Sequence, residues 1–225
     1  RLLRQILQAQ PKQAHALHLL GIVAHQAGKP DLALKLIGEA VALDGSVALF
    51  HSNLAEMNRQ QNKIEEAIRH GEQAIALDAS AASAFSNLGI AYYDAKNHDR
   101  AEFCQEKALA LSPNLLQSLN NMGSIVRARK DLPAAAQWYR KALAVNADYL
   151  ESLSNLGAVL VEDDKAEAAV PYLDRALQLR PNYPEALCNL GLVRLKLDRV
   201  DEAVTLLMRS LQIRPGYPEA LIGLA

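Results

Sequence analysis

Small and apolar residues return along the chain every 34 positions, in the same order and with polar residues between them. With Ala14 as position 1 of a unit, position 7 is Leu20, Leu54, Leu88, Met122, Leu156 and Leu190, and position 8 is Gly21, Ala55, Gly89, Gly123, Gly157 and Gly191. Position 20 is Ala33, Ala67, Ala101, Ala135, Ala169 and Ala203, and position 27 is Ala40, Ala74, Ala108, Ala142, Ala176 and Ser210. A fixed period of this size is the signature of an array of repeated helical or strand units. Positions 4, 7, 8 and 11 share one face of a helix, and positions 20, 24, 27, 28 and 31 share another. Each unit is therefore predicted to be two amphipathic helices with a turn near positions 15 to 17. Gly inside a helix costs about 1 kcal/mol against Ala. Its recurrence at position 8 points to a helix contact too close for a side chain.

In this register residues 1-225 form a single array. It comprises a partial unit at 1-13, full units at 14-47, 48-81, 82-115, 116-149, 150-183 and 184-217, and a partial unit at 218-225. Unit 48-81 is expected to be the loosest, because Asn58 occupies position 11 and Gly71 position 24, where a large apolar residue is expected. Gln105 at position 24 extends the expected weakness into unit 82-115.

The 34-residue length, the Leu-Gly pair, Ala at position 20, the small residue at 27 and Pro at 32 (Pro113, Pro181, Pro215, and Pro11 in the partial unit) resemble the tetratricopeptide repeat family. The family's Trp at position 4 is replaced by Leu17, His51, Phe85, Leu119, Leu153 and Leu187, and its Tyr at 11 survives as Tyr92. The resemblance spans essentially the whole chain. It implies an all-α fold, a right-handed α-solenoid of antiparallel helix pairs whose first helices line a concave groove. Its terminal apolar residues, Leu2, Leu3, Leu221 and Leu224, would lack a neighbour and permit end-to-end self-association.

Composition narrows the class of partner. Half of the residues are hydrophobic and 5% aromatic, and the formal net charge is −1, which gives no global field favouring nucleic acid or an anionic membrane. Basic residues gather locally as Arg127, Arg129, Lys130, Arg140 and Lys141, and the next unit opens its turn with Glu162, Asp163 and Asp164; these read as solvated faces. Cys104 and Cys188 are placed in units that are not neighbours, so no disulfide is expected, and reduced thiols fit a cytoplasmic protein. No apolar run reaches the roughly 18 residues that span a bilayer. The chain opens at Arg1 inside a broken unit, so a longer parent is expected.

The candidate site is a row of asparagines. Position 6 is Asn53, Asn87, Asn121, Asn155 and Asn189, although it points about half a turn away from the buried face and is expected to be wet. Asn is a mediocre helix former, so another factor must favour it. A side-chain amide offers donors and an acceptor without charge, matching the N–H and C=O of any peptide backbone. Helices packed about 8–10 Å apart would place one such amide at every third residue of an extended chain. The series resembles the asparagine ladder inside the tetratricopeptide superhelix of O-GlcNAc transferases. Leu19 and Gly223 end it. Arg59, Tyr93 and Arg127, all at position 12, flank the same groove and are expected to add sequence preference. The competing reading is that the asparagines bond to one another or to backbone and set repeat geometry.

No basic residue occupies positions 2 or 6, so a carboxylate clamp of the kind found in chaperone-binding members of the family is not expected. His15, His18 and His25 are read as surface residues rather than a metal site, and no phosphate loop or activated nucleophile is present. The sequence thus reads as a non-catalytic protein-interaction scaffold, without cofactor or metal, that binds an extended peptide or protein segment. The alternatives are the substrate-recruiting arm of a larger enzyme, such as a glycosyltransferase similar to O-GlcNAc transferases, and a self-associating assembly module.

Overall fold

A computed structural model describes residues 12–225, and among them every regular element is an α-helix. The helices are α1 (Ala14–Gln26), α2 (Pro30–Leu43), α3 (Ala48–Gln60), α4 (Ile64–Leu77), α5 (Ala82–Asp94), α6 (His98–Leu111), α7 (Leu116–Ala128), α8 (Leu132–Val145), α9 (Leu150–Glu162), α10 (Ala166–Leu179), α11 (Pro184–Lys196), α12 (Val200–Ile213) and α13 (Pro218–Leu224). First helices of 13 residues alternate with second helices of 14, so each pair occupies positions 1–13 and 17–30 of its unit. The chain groups into two compact bodies, one ending at Ser118 and the other running from Leu119.

The turns explain why the pairs form. Position 15 is left-handed every time: Gly28 has φ 69°, and Asn62, Lys96, Lys130, Asp164 and Asp198 have φ between 56° and 68°. A single left-handed residue reverses the chain tightly, and only the first unit uses glycine for it. At position 16, Asn97 and Asp131 accept from the backbone N–H of Arg100 and Ala134, at 3.2 and 3.1 Å, and cap α6 and α8.

Packing follows the repeat. All six residues at position 20, and all six at position 27, have no exposed surface. In the first body Leu17, Ile37, Phe50, Leu54 and Met57 form a core cluster. In the second, Leu156, Val159, Leu173 and Val193 do the same. The side chain at position 24 lies directly over the glycine at position 8. A Cβ on Gly21, Gly123, Gly157 or Gly191 would come within 2.5–2.8 Å of Ile37, Tyr139, Leu173 or Leu207.

Unit 48-81 corrects the expectation of looseness. Where the second helix has Gly71, the first has Ala55 in place of the glycine of the other units, and Ala55 is buried. Leu88 of the next unit fills the space beside Gly71, 2.8 Å from where a Gly71 Cβ would stand. Asn58 is buried and donates to the Leu54 carbonyl at 2.9 Å. Gln105 is fully enclosed and donates to the Ser86 carbonyl at 3.0 Å, with its Oε1 unpartnered. The strained position is therefore in unit 82-115, at a polar atom rather than a void.

Candidate functional site

The asparagines of position 6 lie along the first helices, where those helices pass beside one another within each body. They are less wet than expected: Asn53, Asn87, Asn155 and Asn189 are half-buried, and Asn121 is 6% exposed. The cause is a contact made 35 residues back. In the first body the Asn53 amide donates to His18 Nε2 at 2.8 Å, and the Asn87 amide donates to Ser52 Oγ at 3.1 Å. In the second, Asn155 donates to Asn120 Oδ1 at 3.1 Å, and Asn189 donates to both the carbonyl and hydroxyl of Ser154 at 3.2 Å. Each partner occupies position 5 of the preceding unit.

Position 5 is the part of the site that the sequence reading missed. It carries His18, Ser52, Ser86, Asn120 and Ser154 before ending at Cys188, and its polarity inside a buried surface was a usable signal. Ser152 donates to the same Asn120 oxygen at 3.0 Å. A buried acceptor with two donors is satisfied, which fixes its rotamer and that of the amide above it.

These bonds orient the amides. One N–H of Nδ2 is committed to the preceding helix, which fixes the amide plane and with it the direction of Oδ1. Among the described residues no group donates to Oδ1 of Asn53, Asn155 or Asn189, whereas Asn87 Oδ1 accepts from Gln117 Nε2 at 3.3 Å. The second body thus shows two neighbouring fixed carbonyl acceptors, at Asn155 and Asn189, and the first body shows one at Asn53.

The residues at position 12 are engaged as well. Arg59 pairs with Glu56 at 2.8 Å and, across to the next unit, with Asp94 at 2.9 Å. The hydrogen bonds to Glu56 hold its guanidinium well above the usual range, with Asp94 adding to the effect. Arg127 reaches Glu162 at 3.1 Å through Nε and also through a terminal nitrogen. Tyr93 is half-buried beside His98, with ring centroids 5.4 Å apart and Lys96 5.9 Å from its ring centre. The two arginines thus act as ties from position 12 to position 13 of the following unit.

The three histidines of α1 do not converge. His18 is buried against Phe50 with ring centroids 4.6 Å apart, His15 lies exposed over the edge of the same ring, and His18 is not the surface residue expected of it. Among the described residues no three His, Cys, Asp or Glu are gathered to hold a metal. Cys104 and Cys188 are free and buried. No described helix is long and apolar enough to cross a membrane. Leu221 and Leu224 are partly exposed, while Leu2 and Leu3 lie outside the described residues.

The helix hairpins, their 34-residue period and their reciprocal packing define an all-α helical-repeat protein, built from pairs that bury their small residues against one another. The sequence matches the Tetratricopeptide repeat family over residues 80–148 and 148–216, and the TPR repeat over 55–95. The chain belongs to the tetratricopeptide repeat family.

Solved structures with the same fold include a chain of the APC/C hetero-tetramer Cut9-Hcn1, with TM-score 0.87 and 20% identity over 99% of this chain and 44% of that one. This chain therefore spans less than half of that relative's length. Pseudomonas aeruginosa pilF matches with TM-score 0.73 and 21% identity, over 93% of this chain and 95% of that one. YrrB, described as a TPR protein with an unusual peptide-binding site, matches with TM-score 0.56 and 21% identity, over 84% and 97%. No curated protein matches the sequence. Tetratricopeptide repeats indicate a protein-interaction scaffold.

Proposed function

We propose that this scaffold binds an extended peptide segment along the first-helix face of its units, with Asn53, Asn87, Asn121, Asn155 and Asn189 as the backbone-reading residues. The observation that supports this most is the one-sided use of the amides. At Asn53, Asn155 and Asn189 an N–H is held by the preceding helix, which fixes the amide, and no group donates to its Oδ1. A backbone N–H is the group that such an acceptor takes without regard to sequence. Within the second body, helices packed about 8–10 Å apart and a strand rise near 3.3 Å per residue would put the Asn155 and Asn189 acceptors about three residues apart along the peptide. That a protein of the same fold, YrrB, is described with a peptide-binding site is consistent with this use of it. Tyr93 is the position-12 residue that lends an aromatic surface to the same face. Arg59 and Arg127 are proposed to contribute through the edge of their ion pairs.

A second reading rests on the same bonds: the asparagines couple each first helix to the one before it and thereby fix repeat geometry. The two are separated by a pull-down from lysate with the full chain and with Asn87→Ala/Asn121→Ala/Asn155→Ala, after their melting curves are compared. The peptide reading predicts that wild type retains a protein that the variant loses even where both are folded at the assay temperature. Equal retention by both, with the variant melting lower, supports coupling alone. The arm of a larger enzyme and the self-associating module are compatible with either outcome.

A further inference from the structure

All six histidines of the chain lie in the first compact body; none follows His98. Two of them form a buried chain of hydrogen bonds between α3 and α4. His51 Nδ1 lies 3.0 Å from His70 Nδ1, His51 Nε2 lies 3.2 Å from the Gly45 carbonyl, and Arg69 Nη2 lies 2.9 Å from His70 Nε2. The ends of this chain fix its direction. A guanidinium can only donate and a carbonyl can only accept. Arg69 therefore donates to His70 Nε2, His70 donates through Nδ1 to His51 Nδ1, and His51 donates through Nε2 to Gly45.

Each ring is thereby confined to one neutral tautomer. A second proton on His70 would sit on Nε2 and point at the Arg69 guanidinium. One on His51 would sit on Nδ1 and point at the His70 N–H, and an imidazolium has no acceptor with which to rearrange. Both rings are buried, 7% and 8% exposed.

We propose that the paired units 14-47 and 48-81 form an acid-responsive segment, in which protonation of the His51–His70 pair breaks the one-way chain from Arg69 to Gly45 and loosens α4 from α3.

The charges around the pair agree with this. Burial pushes His70 down to about 4, helped by Arg69 and His51 and opposed by Glu66, which lies one turn back on α4. The loop before α3 carries Asp44, whose carboxylate is turned to the Ser46 hydroxyl at 2.6 Å instead. The sign follows from proton uptake. The unfolded histidine titrates near 6.5, so between about pH 6.5 and about 4 the unfolded chain binds a proton that the folded one refuses. Stability of this segment falls as pH drops through that window and is unaffected above it.

His18 responds in the same direction, held below its usual value by burial and by His15 on its own helix. Once protonated, it can no longer accept from the Asn53 amide 2.8 Å away.

The test uses the full chain with histidine ¹⁵N labelling. Long-range NMR correlations at pH 7 are expected to show a bare Nδ1 on His51 and a bare Nε2 on His70, with His70 titrating well below 6. Amide exchange at pH 5 against pH 7, corrected for intrinsic rates, is expected to lose roughly tenfold protection in α3 and α4 while α8 to α12 keep theirs. His70→Gln can still donate to His51 and accept from Arg69, so the exchange of α4 in this variant should depend on pH in this window much less than in the wild type, what remains coming from His18. Mixed tautomers on either ring, or His70 titrating near 6.5, would overturn the proposal. So would a loss of protection at pH 5 that is equal in α3–α4 and α8–α12.

Discussion

Gly123 and Tyr139 allow the reciprocal packing of positions 8 and 24 to be tested by a single methyl group. A Cβ built on Gly123 lies 2.5, 2.7 and 2.8 Å from three ring atoms of Tyr139. Carbon atoms in contact sit about 3.5–4.0 Å apart, so the overlap is about 1 Å. The ring has no exposed surface, and its hydroxyl lies 3.1 Å from Ser124 Oγ, which leaves it little room to swing aside. Overpacking of this kind costs about 1–3 kcal/mol, against a helix-propensity gain of about 1 kcal/mol for Gly→Ala. Gly123→Ala should therefore lose up to about 2 kcal/mol net. Gly38→Ala supplies the control, because nothing lies within 4 Å of its added methyl and only the gain remains. Urea titration followed by circular dichroism and by the fluorescence of Trp138, the chain's single tryptophan and Tyr139's neighbour on α8, reads both. If Gly123→Ala is stabilised as much as Gly38→Ala, the close approach of α7 to α8 is wrong.

Three further outcomes follow from individual residues. Lys96→Gly and Lys130→Gly relieve left-handed backbone at φ 61° and 68° and should each stabilise the fold by about 1 kcal/mol, measured by the same titration. Gln105→Leu removes a fully buried Oε1 that has no partner and should raise stability by about 1 kcal/mol; a loss of that size would mean that the amide is fully satisfied. Burial pushes the Cys104 thiol up to about 11 and Cys188 up to about 12, so both should resist a disulfide reagent at pH 8 in the folded chain and react once it is unfolded in guanidinium.

The repeat was legible because burial itself is periodic. Ala at positions 20 and 27 and Gly at position 8 are dictated by how closely two helices approach, and that constraint returns in every unit. Compensation across helices was not legible. Gly71 looks like a defect until Leu88 of the next unit is seen to fill the space beside it, and periodicity along one helix carries no record of that exchange. The asparagine row was visible as a series, but its depth was not. Whether position 6 is wet depends on position 5 of the preceding unit, a separation of 35 residues that one-helix geometry does not reach. The ties from Asp94 and Glu162 to Arg59 and Arg127 were hidden for the same reason, since they come from the next unit.

The claim at the centre of this account is that fixed asparagine oxygens take backbone N–H groups from an extended peptide. The most direct measurement is calorimetric titration of the full chain with a synthetic peptide from a captured partner's unstructured segment, beside versions N-methylated at one residue in three, in each of the three registers. One register should lose about 1–3 kcal/mol of binding for each N–H removed from an acceptor, while the other two bind much as the parent does. If all three registers bind like the parent, the asparagines serve only to join one repeat to the next.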